Sequence, residues 1–525
     1  MNSRKPHSSR TRTVQTRQCA ATLVAWIAAA AMVLQPIVSL AQEGVRLPDL
    51  GSSGDVLPPD EARSFPNDFR NYMSAQGMLV DDPIIQSYIT EMGYRLVMHS
   101  SGRTQNFHFH VLKVPGINAF AAPAGVVALN AGLLLAASSS DEVAGVVAHE
   151  VSHVTQNHLS RGLEEQQRVS LPIMLATLGL VMVGGMAGNI DAESAQGLIA
   201  AGTGLSQQAQ INYTRQNEAE ADRIGIQLLA RAGYDPTGMA DFFNTLNQWV
   251  RSQGAGPPEY LRTHPLTVSR VAEARDRARQ YPNRSRIRDD QFDFIQARLR
   301  VLMAEHADKA IAYFEQKLRD DTGNEAANRY GAALAMIDSR RIQAAMEHVA
   351  WLLQHDSDDQ LFRILYGDLL LAQEKTEQAL SEFENLHLAY GQSTMIALAY
   401  VNALLKTGDA DNAETAAGIL QNQLRRNPDD IRITELLARA ADRAGDPVRA
   451  AEAVATNYHQ RGGLPQAIEQ LERVLERDDL DYYERARISA KLDRMRVERM
   501  RTMRETGEQT RQLSPDRKLS VTNRS

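Results

Sequence analysis

Val147-Ala148-His149-Glu150-Val151-Ser152-His153 is the stretch on which the reading of this 525-residue chain turns. Val143, Val146, Val147, Val151 and Val154 recur around it at helical spacing. Ser139 followed three residues on by Glu142 has the form of a capping box, and Asp141 adds negative charge to the first turn, so a helix is predicted to start here. Residues four apart on a helix share a face, so His149 and His153 can offer two imidazole nitrogens to one metal ion. Glu150 falls at the edge of that face. There it could act as general base on a metal-bound water without being a ligand itself. A pattern this short also arises by chance, so a second, independent ligand is needed.

Asn217-Glu218-Ala219-Glu220-Ala221-Asp222-Arg223-Ile224-Gly225 supplies a candidate. Glu218 and Asp222 are four apart and share a helix face, while Glu220 is turned about 200° from Glu218 and is expected to face solvent. Two crossing helices could bring Glu218 to the histidine pair, giving a two-His, one-Glu catalytic zinc site with one position open for water. Asp222 is then placed to accept a hydrogen bond from the outer ring N–H of a liganding histidine. An acidic, solvated helix face is the alternative, and it suits Glu220 better than Glu218. His158, five residues after His153, falls off the ligand face and reads as a surface histidine. His108 and His110 alternate within Phe107-His108-Phe109-His110-Val111-Leu112 and are assigned to a sheet face, not to the metal.

Arg4, Lys5, Arg10, Arg12 and Arg17 precede an apolar run, Ala20 to Leu34, and Ser39-Leu40-Ala41 offers small residues for cleavage. Residues 1–41 are therefore expected to be a secretory signal peptide, the alternative being a retained membrane anchor. Its removal moves the formal net charge from −7 to −12 and takes the lone Cys19. An acidic, cysteine-free exported chain argues against nucleic acid as a partner, excludes disulfide support, and suits a bacterial periplasm. The remaining length of about 480 residues exceeds one core, so two or more domains are expected. Residues 42–70, rich in Gly, Ser, Pro and Asp, read as an N-terminal arm.

Asn118-Ala119-Phe120 opens a segment through Pro123-Ala124-Gly125 to Asn130 that reads as a hairpin, and Pro123 argues for an edge strand. An edge beside a metal helix could hold an extended peptide by backbone hydrogen bonds; an ordinary sheet edge is the alternative. Residues 171–188, apolar on all sides but broken by Pro172 and glycines, and the small-residue run to 205 are expected to form a hairpin over the cleft. If mobile, it could grip unfolded chains or associate peripherally with a membrane. His264 stands in Thr263-His264-Pro265, where Pro265 holds the backbone out of helix.

From Asp290 the composition turns helical. Ala345, Ala379 and Ala413 are spaced by 34 residues twice, and Ala333, Gly367 and Val401 each stand twelve before them. That is the tetratricopeptide period, and stacked helix pairs of this kind expose a concave surface that binds segments of other proteins. A plain helical bundle is the alternative. A further unit is centred on Ala438 and Ala450. Residues 491–525 are expected to be a basic helix end and a disordered tail.

Ile117-Asn118-Ala119-Phe120-Ala121, Ala148-His149-Glu150-Val151-Ser152-His153-Val154-Thr155-Gln156, Asn217-Glu218 through Gln227 and Thr263-His264-Pro265-Leu266 together resemble the M48 family of zinc metallopeptidases, and within it a periplasmic subgroup. The resemblance covers most of residues 70 to 480. It implies a mainly α chain: a gluzincin-type metallopeptidase domain with a small β-sheet at residues 71–286, then an α-solenoid of tetratricopeptide repeats at 287–490. One Zn2+ per chain would be held by His149, His153 and Glu218, with Glu150 as the acid/base and Asp222 supporting a ligand. Asn118, Ala119 and Phe120 would bind substrate. His264 would lie near the metal, either donating to the oxyanion or occupying the open position and holding the enzyme off. Protein substrates are implied, with a part in assembly and quality control of outer-membrane proteins: β-barrel precursors as clients, and the repeats docking on assembly machinery. A chaperone or scaffold with a mostly latent peptidase is the rival reading.

Overall fold

The structure, a computed structural model, describes residues 57, 59–100, 106–162, 214–253, 257–281, 289, 291–428 and 430–512. The expected signal peptide, most of the arm, the apolar segment 171–205 and the end of the tail lie outside them. Among the described residues no helix is long and apolar enough to cross a membrane. The chain divides into two compact units, residues 1–352 and 353–525.

The first unit is built on a three-stranded sheet of order β1-β3-β2, formed by β1 (His108–Leu112), β2 (Ala119–Ala122) and β3 (Val126–Asn130). β3 is buried throughout, as a central strand must be when both faces are covered. β1 runs parallel to it and β2 returns antiparallel, with Ala122 opposite Val126 across the Pro123-Ala124-Gly125 turn. The expected hairpin is therefore present, and β2 lies at an edge.

One face is covered by α1 (Pro59–Ala75), whose Phe65, Phe69 and Met73 pack with Leu112, Val126 and Ala128. Part of the stretch that composition assigned to an arm is thus core. His110 meets Phe69 at 5.7 Å on this face, away from the metal helix. The other face carries α2 (Pro83–Val97) and α4 (Ser140–Thr155), with α3 (Ala131–Ala136) leading out of β3.

α4 is the helix expected around His149. Ser139 Oγ accepts from Glu142 N at 3.3 Å, while Glu142 Oε2 reaches back to Ser138 N at 3.0 Å, one residue earlier than in a standard capping box. Val143, Val146, Val147 and Val151 are buried, and so are nearly all their neighbours, so α4 is a core helix and not an amphipathic one. After a helix at 214–232 (α5) come α6 (Gly238–Gln253), α7 (Glu259–Thr263) and α8 (Val268–Ala278).

The first helix of the repeat region, Phe292–Met303 (α9), is fastened to this unit. Gln296 Nε2 donates to Leu134 O and Ala137 O at 2.7 and 2.8 Å. Arg298 reaches Asp82 Oδ2 at 2.6 Å and the Tyr330 hydroxyl at 2.8 Å, and Asp82 also caps α2 through Ile84 N. The boundary expected between residues 286 and 287 therefore falls inside one compact unit.

Helix pairs continue through both units to the long helix Tyr482–Gln512, which extends past Gly507 into residues expected to be disordered. Ala345, Ala379, Ala413, Ala333 and Val401 are all buried, and the Phe383 ring lies where a Cβ on Gly367 would stand. The 34-residue period thus marks the close contacts between paired helices. In the later unit, Ala441 and Ala453 are buried, whereas Ala438 and Ala450 are only partly so.

Candidate metal centre

Two close helix crossings set the site. A Cβ on Gly145 would stand 2.8 Å from Met239 N of α6, and one on Gly225 of α5 would stand 3.3 Å from Ala148 C and His149 N of α4. At Gly145 a side chain would collide with backbone, at Gly225 it would be a tight fit, and the Gly225 crossing carries Glu218 of α5 to the histidines. His149 Nε2 lies 2.9 Å from His153 Nε2 and 3.4 Å from Glu218 Oε2, and His153 Nε2 lies 3.4 Å from Glu218 Oε1. Ligands about 2.1 Å from one tetrahedral ion stand about 3.4 Å apart, which both Glu218 separations match, while the two imidazoles stand closer together.

Proton positions agree with that use. Asp222 Oδ1 lies 2.9 Å from His149 Nδ1 and accepts its proton, so Nε2 is the nitrogen that faces His153 and Glu218. Burial disfavours a charged His149, yet Asp222 and Glu218 outweigh it and push the ring up to about 10. Burial, together with the positive charge of His149 and His264, holds His153 below its ordinary value. Burial alone would raise Glu218 and Asp222; the surrounding imidazoles hold Glu218 well below the ordinary carboxylate range, and His149 with Arg270 lowers Asp222. The chemistry of the set, two imidazoles and an anionic carboxylate facing one point, fits a divalent cation.

His264, at the end of α7, enters the same cluster. Its Nδ1 lies 3.0 Å from Glu218 Oε1 and 3.3 Å from His149 Nε2, and its ring packs on Tyr260 at 4.8 Å. The four side chains His149, His153, Glu218 and His264 offer donor atoms all within 4.8 Å of one another. Glu150 is buried beside them, with Oε1 3.4 Å from His264 Nε2 and making no hydrogen bond among the described residues. A carboxylate oxygen so placed is free to take a proton.

Asn118, Ala119 and Phe120 are positioned differently from a side-chain pocket. Ala119 is fully buried and Phe120 packs edge-on against Phe69 at 6.2 Å. Asn118 is buried and its carbonyl accepts from Asn130 N at 2.9 Å. Within the described sheet β2 pairs only with β3.

Three supporting residues escaped the sequence reading. Arg270 of α8 is buried, reaching Asp222 Oδ2 at 2.7 Å, Glu218 Oε2 at 2.9 Å and Pro265 O at 2.9 Å, so it neutralises both acids and fixes the turn that carries His264. Tyr260 backs the His264 ring. His158, read as a surface residue, is buried: its Nδ1 lies 2.9 Å from His153 Nδ1 and its Nε2 lies 3.1 Å from Glu220 Oε2. Burial, aided by neighbouring His153, pushes His158 down to about 4. Glu220 does point away from the donor set as expected, but it is paired with His158 and Arg161 and not simply solvated. The five-residue spacing was measured along an ideal helix, and α4 ends at Thr155, with Asn157 at φ 52° turning the chain back.

Residues 83–278 match the model of peptidase family M48. The chain is 32% identical over 487 residues to the β-barrel assembly-enhancing protease of Escherichia coli K12, covering 91% of this chain and 97% of that one. It is 32% identical over 464 residues to the putative β-barrel assembly-enhancing protease of Vibrio cholerae, covering 87% and 93%. It is 25% identical over 219 residues to the mitochondrial metalloendopeptidase OMA1 of Schizosaccharomyces pombe, covering 41% of this chain and 60% of that one. M48 peptidases are metal-dependent, and the described cluster can hold a metal. With this likeness over nearly its whole length, the chain belongs to peptidase family M48 and is a metallopeptidase.

Proposed function

We propose that this protein is an exported, periplasmic zinc endopeptidase that acts in the assembly and quality control of outer-membrane proteins. His149, His153 and Glu218 hold the zinc, and Asp222 orients His149. The observation that carries the reading is the meeting of Glu218 with the two histidines at 3.4 Å from a separate helix. When bound, zinc supplies Lewis acidity toward the scissile carbonyl and makes water a nucleophile near neutral pH. Glu150 takes the proton of the attacking water and returns it to the leaving amine nitrogen. Backbone groups along β2 hold the extended substrate. Residues 1–41 direct export, residues 71–286 cut, and the repeats at 287–490 bind clients or assembly machinery. The clients are unfolded outer-membrane β-barrel precursors, in keeping with the names of the bacterial relatives.

Glu150→Gln tests the base. The variant should keep fold and bound metal while cleavage falls by about 10²- to 10⁴-fold. Surviving cleavage would show that the base lies elsewhere.

One observation favours a second reading alongside the first. His264 Nδ1 sits where a fourth ligand belongs, 3.0 Å from Glu218. We propose that His264 occupies the position the substrate needs and keeps the resting peptidase latent, so that the repeats can act as a chaperone or scaffold. Full rescue of a deletion strain by the Glu150→Gln protein would favour that role; failure would favour proteolysis.

A further inference from the structure

The two histidines of the metal helix are secured differently. His149 meets a carboxylate directly, Asp222 at 2.9 Å. His153 meets another imidazole, His158, at 2.9 Å between Nδ1 atoms, and His158 Nε2 in turn meets Glu220 Oε2 at 3.1 Å. The carboxylate can only accept, so His158 carries its proton on Nε2 and donates it to Glu220, and its Nδ1 is left as an acceptor. His153 must then donate from Nδ1, which leaves Nε2 as the nitrogen aimed at His149 and Glu218. His158 is buried and its ring packs edge to face on that of His153, 4.8 Å away at 78°. Glu220 is held by Arg161 at 3.1 Å and Arg223 at 3.8 Å.

We propose that His158 and Glu220 form a positioning relay for the metal site, fixing through one intervening imidazole which nitrogen of His153 is presented to the cation. The proposal rests on the zinc reading above. It gives α5 three successive duties, since Glu218 binds, Asp222 orients His149 and Glu220 orients His153 from the opposite side of the same helix.

The test uses full-length protein loaded with Co2+, read by its visible absorption spectrum, and with Zn2+, read by competition against a chelator. Glu220 is partly exposed, so Glu220→Ala should leave the melting temperature in chelator unchanged. It should weaken metal binding by about 10- to 100-fold and shift the cobalt spectrum. Glu220→Gln, whose amide oxygen can still accept from His158, should restore affinity to within about threefold of the parent. His158→Ala should behave like Glu220→Ala. Glu220→Ala with unaltered affinity and spectrum would overturn the relay while leaving the zinc site standing. Equal loss in Glu220→Gln and Glu220→Ala would also overturn it, since Glu220 would then act only as a negative charge. A parent protein without a four-coordinate cobalt spectrum would overturn the zinc reading and the relay with it.

Discussion

His149 Nε2 and His153 Nε2 stand 2.9 Å apart, closer than two unprotonated ring nitrogens can rest unless a cation or a proton lies between them. Asp222 and Glu218 push the His149 ring up to about 10, while burial and its charged neighbours lower His153. In chelated protein the shared proton therefore sits on His149. A metal must displace it, so binding should release about one proton near neutral pH, and apparent affinity should rise about tenfold per pH unit up to about pH 9. Calorimetry in buffers of different ionisation enthalpy measures the release. Affinity that stays flat between pH 7 and 9 would contradict the proton assignment.

Asp222→Asn should weaken metal binding by about 10- to 100-fold, because the neutral amide holds His149 less firmly and removes one of the two counter-charges of Arg270. The same substitution should alter the pH dependence of the chelated protein. A ring raised above its ordinary value of 6.5 stabilises the fold fully below that value and loses its contribution as pH rises through about 10. In the chelated parent, His149's share of stability should therefore fade between pH 7 and 10. Thermal melts should show that slope reduced in Asp222→Asn.

Replacement of His264 by Ala should raise peptide turnover. If the ring occupies the position a substrate needs, removing it increases the competent fraction, on the order of tenfold where closed molecules outnumber open ones ten to one. A fall in kcat at unchanged KM would instead assign His264 to the oxyanion.

The helix crossings are sensitive to a single methyl group. Gly145→Ala places a carbon 2.8 Å from Met239 N, where only backbone movement can relieve it. A loss of about 1–3 kcal/mol is expected, measured by denaturant unfolding with metal present and absent. A variant as stable as the parent would show that α4 and α6 have room to part.

Arg298→Ala should loosen the first repeat helix on the metallopeptidase region, where Gln296 still holds it. It leaves Asp82 without its ion-pair partner, though still accepting from Ile84 N and Ile85 N, and costs about 3 kcal/mol. Hydrogen exchange along Phe292–Met303 should quicken. An unchanged exchange pattern would place the coupling elsewhere.

Much of the site was legible because it is written at helical spacing. His149, Glu150 and His153 lie within one turn of α4, and the Glu218–Asp222 interval repeats that spacing on α5. The 34-residue period is visible in the repeats because Ala345, Ala379 and Ala413 recur as buried positions of paired helices. What escaped reading depends on tertiary neighbours. Arg270 looks like any surface arginine of α8 until the Asp222 and Glu218 carboxylates are seen around it. His158 lost its apparent exposure because the chain turns at Asn157, which periodicity cannot register. Phe120 alternates correctly along β2, but only the packing of α1 shows that its ring meets Phe69 and not a cleft.

The most direct measurement is anomalous X-ray diffraction at the zinc absorption edge from crystals of the zinc-loaded protein. One peak should appear per chain, about 2.1 Å from His149 Nε2, His153 Nε2 and a carboxylate oxygen of Glu218. A peak bonded to other residues, or zinc bound with Glu218 left outside bonding distance, would contradict the account.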